Sequence, residues 1–331
     1  MSETYDVVIV GSGPAGYTAA LYAARANLDV LMFQGFEVGG QLMLTSDVEN
    51  YPGYRDGVMG IEMMDDFEAQ AARFGAKMRP ENVERVDLSE RPFKLWAEGE
   101  DEPVLARAVI IATGAKAKWL GLPGERRLMG RGVSGCATCD GFFFKDKKVA
   151  VVGGGDTAME EAMFLTKYAG EVLIIHRRDH FRASKIMLER AKKNPKITFL
   201  TDTVVEDVLG EESVEGIKIK NVEIGEERDL EVDGFFAAIG HAPATAIFED
   251  QVETDEGGYI LQKENTMTSV PGVFAAGDVS DKRYRQAVTA AGDGCRAAID
   301  AERWLEEQGE AEHAEDPAVW TAEKERDAAN L

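Results

Sequence analysis

Apolar runs of four to six residues recur along the chain: Tyr5 to Val10, Val30 to Phe33, Ala108 to Ala112, Lys148 to Val152, Val172 to Ile175, Gly234 to Ile239 and Gly272 to Ala276. Runs this short, with little polar alternation, predict strands buried on both faces, as in parallel sheets. Two of them continue in the same way. Tyr5–Val10 leads into Gly11-Ser12-Gly13-Pro14-Ala15-Gly16, an alanine-rich segment from Ala19 to Ala26, and then Val30–Phe33. Lys148–Val152 leads into Gly153-Gly154-Gly155-Asp156-Thr157-Ala158, a helical stretch to Tyr168, and then Val172–Ile175. Each reads as strand, tight turn, helix, strand, which is a βαβ unit. A further helix is predicted over Ala287 to Leu305.

Strands alternating with helices imply an α/β fold with parallel sheets. At 331 residues the chain has room for two domains. The simplest arrangement is two Rossmann-like, doubly wound nucleotide-binding domains, the second inserted into the first. The expected boundaries are 1–116 and 243–310 for the first domain and 117–242 for the second, with 311–331 an acidic C-terminal tail. A hinge is expected near 114–118 and 240–244.

Composition narrows the partners. The net charge is -23, from 60 acidic and 37 basic side chains, which disfavours nucleic acid and anionic membranes. The excess is spread through the body, in doublets such as Asp65-Asp66, Glu160-Glu161 and Glu211-Glu212, as well as along the tail. It reads either as solvated faces with a loose tail or as adaptation to high salt, where repulsion is screened within about 3 Å at molar ionic strength. No apolar run reaches the roughly 18–20 residues of a membrane helix. The N-terminal run has no basic segment before it and ends in glycines, so a cytoplasmic location is expected.

The two glycine turns are candidate dinucleotide sites. At Gly11, Gly13 and Gly16 the missing side chains let backbone approach a pyrophosphate, and the helix N-terminus supplies unpaired N–H groups. About twenty residues on, where an acid usually holds the ribose, stands Phe33-Gln34-Gly35, so Gln34 or water has to serve that hydroxyl. In the second turn Gly153 and Gly155 are followed by Ala158, small enough for the close helix–strand contact. Beyond its second strand come His176-Arg177-Arg178-Asp179-His180-Phe181-Arg182. Guanidinium forks at Arg177, Arg178 and Arg182 match a 2′-phosphate, which favours NADPH over NADH, although charged side chains here could also be plain solvated surface.

Cys136-Ala137-Thr138-Cys139-Asp140 is the reactive candidate. Zinc would need two more ligands, and only Cys295 and four histidines are available, none at finger spacing. A structural disulfide is the other bland reading. A redox dithiol is favoured by Asp140, an acid beside the pair that could move protons during exchange, and by the two nucleotide sites. Cys295, among small apolar residues of a predicted helix, is expected to be a buried core cysteine. No metal site is expected.

These motifs, together with Gly39-Gly40-Gln41-Leu42, Val48-Glu49-Asn50-Tyr51-Pro52-Gly53, Ala112-Thr113-Gly114, Ala238-Ile239-Gly240-His241 and Gly277-Asp278, resemble the ordered motif set of bacterial-type, low-molecular-weight thioredoxin reductases. The likeness runs from about residue 5 to residue 305, and the cysteine motif with its aspartate is its specific part. The resemblance implies an FAD- and NADPH-dependent disulfide reductase, homodimeric, acting on a thioredoxin or thioredoxin-like protein. It places FAD in the first domain, with Gly11, Gly13 and Gly16 at the pyrophosphate and Gln41 and Asn50 in the flavin region. Thr113, Gly114 and Gly277 belong to the same motif set, Asp278 to the ribityl side, and Arg285, Gln286 and Ala287 to the flavin pyrimidine. It assigns Cys139 to the flavin side, Cys136 to attack on the partner, and Asp140 to acid/base work. Ala244 departs from the family, where asparagine often follows the Gly-His-x-Pro run. Alternatives are a ferredoxin–NADP reductase-like flavoprotein, which would not need the cysteines, a reductase of a low-molecular-weight disulfide, or a non-catalytic flavin-binding sensor.

Overall fold

The computed structural model describes residues 3–45 and 47–309, so the expected tail at 311–331 lies outside the described residues. The chain divides into two compact units. One holds residues 1–40, 62–114 and 243 onward, and the other holds 41–61 and 115–242.

The first unit is built on a mixed sheet. Strand Thr4–Val10 lies between Val30–Phe33 and Val104–Ile111, parallel to both, with Val8 opposite Leu31 on one side and Val109 on the other. Lys77–Arg79 extends the sheet beyond Val30–Phe33, and Val273–Ala275 joins parallel to Val104–Ile111. The remaining strands, Val83–Asp87 and Phe93–Ala97, pair antiparallel, so this sheet is not wholly parallel as expected. The reason is visible in Phe93–Ala97, where buried and half-buried residues alternate along the strand as in a sheet with one wetter face.

Helices Pro14–Arg25 and Ala287–Gln308 cover the sheet through small residues. Along the second of these, Ala290, Gly294, Ala297, Ala298 and Ala301 form a buried stripe at helical spacing. A Cβ on Gly294 would stand 2.0 Å from the carbonyl oxygen of Ala15, so the two helix backbones touch where any larger residue would part them.

The second unit has a five-stranded parallel sheet in the order Val133–Ser134, Gly234–Ala237, Lys148–Val152, Glu171–Ile175, Ile197–Leu200. Its faces feed separate cores: Val149, Val151, Ile174 and Phe236 on one side, Ala150, Leu173, Ile175 and Phe235 on the other. That two-sided burial is why the strands read as continuous apolar runs. A three-stranded antiparallel sheet, Thr203–Leu209, Gly216–Asn221 and Glu227–Glu231, was not legible as such, because its exposed strand is almost wholly charged.

Segment 41–61, expected in the first domain, groups with the second unit. It is tied there by the Gln41 side chain, which donates to the carbonyl of Ala115, and it packs tightly on itself at Gly60, where a Cβ would clash with the carbonyls of Leu42 and Thr45.

Candidate active site

In the first unit three neighbouring parallel strands, Thr4–Val10, Val104–Ile111 and Val273–Ala275, end side by side, and each runs into residues singled out from the sequence. The glycines at the first strand end do different jobs. A Cβ on Gly11, where φ is +111°, would stand 2.3 Å from the carbonyl oxygen of Ala112, and one on Gly16 would stand 1.9 Å from that of Gly11. Both are therefore demanded by the chain's own packing. Gly13 has an ordinary φ of -71° and nothing within 4 Å of its Cβ position. Nothing inside the protein requires glycine there, so its bare Cα faces a space suited to a close-approaching ligand backbone. The dinucleotide cradle thus fits the group that the motif implies.

Ser12, passed over in the sequence, completes the cradle. Its buried hydroxyl donates to the Gln34 carbonyl at 2.8 Å and accepts the Gly39 amide at 3.0 Å, which holds the Gly39–Gly40 turn beside Gly13. The Gln34 side-chain nitrogen is engaged within the protein, which leaves its Oε1 as the atom that could serve a ribose hydroxyl. Its side chain is buried, and its amide nitrogen donates to the Tyr17 hydroxyl at 2.9 Å, which in turn donates to Glu68.

At the second strand end Thr113 donates its hydroxyl to the Ala244 carbonyl, and Gly114 takes a φ of +70°. At the third, Gly277 packs its Cα against Ala15 and Ala290, and Asp278 follows. Burial pushes the Asp278 carboxyl up to about 7; the Asp281 charge adds to this and Arg285 opposes it. Arg285 lies in the left-handed region at φ +48°, followed by Gln286 as the N-cap of the helix that starts at Ala287. Cys295 in that helix is half-buried rather than a core residue: its thiol hydrogen-bonds Tyr22, a half-exposed tyrosine, which keeps it near the surface.

The second unit repeats the cradle. A Cβ on Gly153 would stand 2.3 Å from the Ala238 carbonyl oxygen and 2.7 Å from the Cβ of Ala158, whereas Gly155 again has nothing within 4 Å. The backbone then folds back, with the amides of Arg182 and Ala183 both donating to the Gly154 carbonyl. This return brings the ring of Phe181 onto that of His176, centroids 4.9 Å apart. His176, unmarked in the sequence reading although it heads the arginine run, packs its ring against Gly154 and leaves a buried Nε2 with no partner among the described residues. Burial lowers its pKa, and the charges of Arg177, Arg178 and Arg182 lower it further. All three are exposed, and none pairs with a carboxylate among the described residues. A cluster of unpaired cations beside an open glycine turn suits a phosphate.

The cysteines lie in this unit too. Strand Val133–Ser134 ends at Gly135, Cys136 is extended, and Ala137–Asp140 makes one helical turn that brings Cys139 back. The sulfurs are bonded, with the Cα atoms 5.4 Å apart. Cys136 is half-buried and Cys139 exposed. Buried Ser134 accepts the Cys136 amide at 3.0 Å. Burial raises the Asp140 pKa, and a hydrogen bond from Ser134 lowers it in part, so the carboxyl is held as a group able to carry a proton next to the pair. Past Gly141 the chain is pinned by Phe144, which packs edge-on against Phe236 over the bare Cα of Gly234. The redox turn is therefore anchored to the parallel sheet at both ends. Asn50 is exposed on the 49–55 loop, which lines a concavity of about 450 Å³.

A bonded cysteine pair with a neighbouring carboxyl, in a unit with a dinucleotide cradle, meets its counterpart in comparisons with known proteins. Residues 5–294 match the pyridine nucleotide-disulphide oxidoreductase family. This chain belongs to that family. It is 58% identical over 305 residues to a thioredoxin reductase of Mycolicibacterium smegmatis, covering 92% of this chain and 97% of that one. It is 55% identical to a bifunctional thioredoxin reductase/thioredoxin of Mycobacterium leprae, covering 98% of this chain and 69% of that protein. A thioredoxin reductase from Giardia duodenalis has the same fold, with a TM-score of 0.89 and 44% identity over 92% of this chain and all of that one. Thioredoxin reductases of this family are FAD-dependent disulfide oxidoreductases that use NADPH.

Proposed function

We propose that this chain reduces the disulfide of a thioredoxin with electrons from NADPH, passed through FAD and the Cys136–Cys139 pair. The observation that carries the reading is the bonded pair beside Asp140, whose pKa burial raises, in the same unit as the Gly155 cradle and the arginines that pair with no carboxylate among the described residues. The Mycobacterium leprae relative, which joins a thioredoxin to this kind of reductase in one chain, supports the choice of partner.

In this reading the Gly11–Gly16 turn, Thr113, Gly114, Asp278 and the Arg285–Ala287 helix start hold FAD, with Gln41 and Asn50 toward the flavin region. Gly153, Gly155, Ala158, Arg177, Arg178 and Arg182 hold NADPH, and His176 joins them. When bound, FAD would supply the two-electron chemistry that links NADPH to the disulfide. Cleavage of Cys136–Cys139 yields two thiols. The Cys136 thiolate attacks one sulfur of the thioredoxin disulfide and expels the other as thiolate. Cys139 then attacks the Cys136 sulfur of the mixed disulfide, which restores the internal bond and releases dithiol thioredoxin. Asp140 takes up and returns the proton of the cysteine that must ionise.

The functional form is read as a homodimer, as the family resemblance implies, and as cytoplasmic on the character of the N-terminal run. The broadly spread negative charge is read as adaptation to high salt. The test of the main reading is turnover of NADPH, and separately of NADH, with and without a thioredoxin and with a small disulfide in its place. NADPH-dependent reduction of thioredoxin well above that of the small disulfide supports it.

A further inference from the structure

The loop between Asp278 and the last helix is folded around one carboxylate that no motif marks. Asp281 accepts the amides of Arg283 at 2.8 Å and Tyr284 at 2.9 Å on Oδ1, and that of Arg285 at 3.2 Å on Oδ2. Its own amide donates to Gly277 at 2.9 Å, which ties the carboxylate to the strand end that carries Asp278. The last of the captured amides belongs to Arg285, a non-glycine residue at φ +48°. A left-handed residue of this kind persists only where its surroundings hold it. The other contacts of Arg285 are a guanidinium bond to the Lys282 carbonyl at 3.1 Å and the Gln286 side-chain amide on its own carbonyl at 2.9 Å, both to neighbours within the same loop. Directly after it, Gln286 caps a helix of 22 residues by bonding with Thr289.

The geometry points to Asp281 as a positioning residue for FAD: by gathering three successive backbone amides on one carboxylate it fixes the left-handed Arg285, and through it aims the helix start at Ala287 toward the flavin. Asp281 does not touch the cofactor in this account. It sets the direction of a helix N-terminus, whose dipole and free N–H groups favour negative charge on the reduced ring. This rests on the reading that the helix start faces FAD.

Three apoproteins test it, Asp281→Ala, Asp281→Asn and Gly13→Ala, each titrated with FAD and each exposed to trypsin without it. Lys282, Arg283 and Arg285 make the loop itself a reporter. Asp281→Ala is expected to be cut there faster than the parent chain and to bind FAD roughly 10- to 100-fold more weakly, as the loss of more than one charge-assisted hydrogen bond implies. Asp281→Asn keeps the Oδ1 acceptor and falls between. Adding Arg285→Gly, which removes the left-handed cost, should restore part of the FAD affinity in Asp281→Ala. If Gly13→Ala loses FAD while Asp281→Ala binds it as the parent does, the positioning role is wrong and the cofactor reading stands. If Gly13→Ala binds FAD normally, the cofactor reading fails first. Unchanged trypsin cleavage in Asp281→Ala would overturn the loop's dependence on that carboxylate whatever FAD does.

Discussion

The carbonyl oxygen of Gly11 lies 1.9 Å from the place a Cβ on Gly16 would occupy, so the first glycine turn and its helix touch backbone to backbone. A Cβ on Gly13, between them, would meet nothing within 4 Å. The same motif thus contains glycines kept for the fold and a glycine kept for the ligand. Gly16→Ala is expected to destabilise the chain by about 1–3 kcal/mol or more, since a backbone atom has to move. Gly13→Ala should stay within about 1 kcal/mol of the parent, the cost of a poorer N-cap, yet lose FAD affinity. Denaturant unfolding and FAD titration of the two apoproteins check this. Equal stability losses with equal FAD affinity would remove the distinction.

Asp278 gives the FAD-free chain a pH signature. Its carboxyl is pushed up to about 7 by burial. The native state therefore keeps a proton that the unfolded chain releases near pH 4. Stability from this group is fully present below that value and is lost as pH rises through about 7, because the native state binds more protons over that window. Thermal unfolding of apoprotein between pH 4 and 8 should decline less steeply in Asp278→Asn than in the parent. Parallel profiles would show that Asp278 is ionised in the folded chain at acid pH.

Much of this was legible in the sequence, and the limits have physical causes. The two βαβ units were readable because Tyr5–Val10 and Lys148–Val152 are buried on both faces, which leaves no polar alternation to mislead. The antiparallel strands at 83–97 and 203–231 are harder to read because charged residues such as Glu84, Arg85, Lys94, Glu206, Lys218 and Arg228 interrupt their apolar positions, so no continuous apolar run marks them. Gln34 was chosen by its distance from the glycine turn, but distance along the chain says nothing of which way a side chain turns, and Tyr17 takes its amide. Ser12 and His176 act through contacts to Gln34, Gly39 and Gly154, which only folding brings near, whereas Ser134 and Asp281 capture amides two to four residues on, which takes a loop geometry that no residue pattern marks. His176 alone left a trace, as the first residue of the arginine run.

Arg177 and Arg182 should set the choice of nicotinamide cofactor. Replacing both is expected to raise the KM for NADPH at least tenfold relative to that for NADH, since each lost charged hydrogen bond costs about 1.5–3 kcal/mol and NADH lacks the phosphate that makes them. Steady-state kinetics with both donors is the check. An unchanged ratio would assign these guanidinium groups to solvent.

The acidic excess bears on salt. With a net charge of -23, repulsion within the compact state acts over a Debye length of about 30 Å at 0.01 M and about 3 Å at 1 M. The melting temperature is expected to rise steadily from dilute buffer to molar potassium chloride. A salt-independent melting temperature would leave the charge as ordinary solvated surface.

The central claim is that electrons pass from NADPH to the cysteine pair by way of FAD, and anaerobic titration of the holoprotein with NADPH measures it most directly. The parent chain holds two two-electron acceptors, FAD and the Cys136–Cys139 disulfide, and should take up two equivalents of NADPH before the flavin is fully bleached. The double variant Cys136→Ser, Cys139→Ser should bind FAD as before, bleach with one equivalent, and reduce no thioredoxin. A double variant that still consumes two equivalents, or that turns over thioredoxin, would contradict the account.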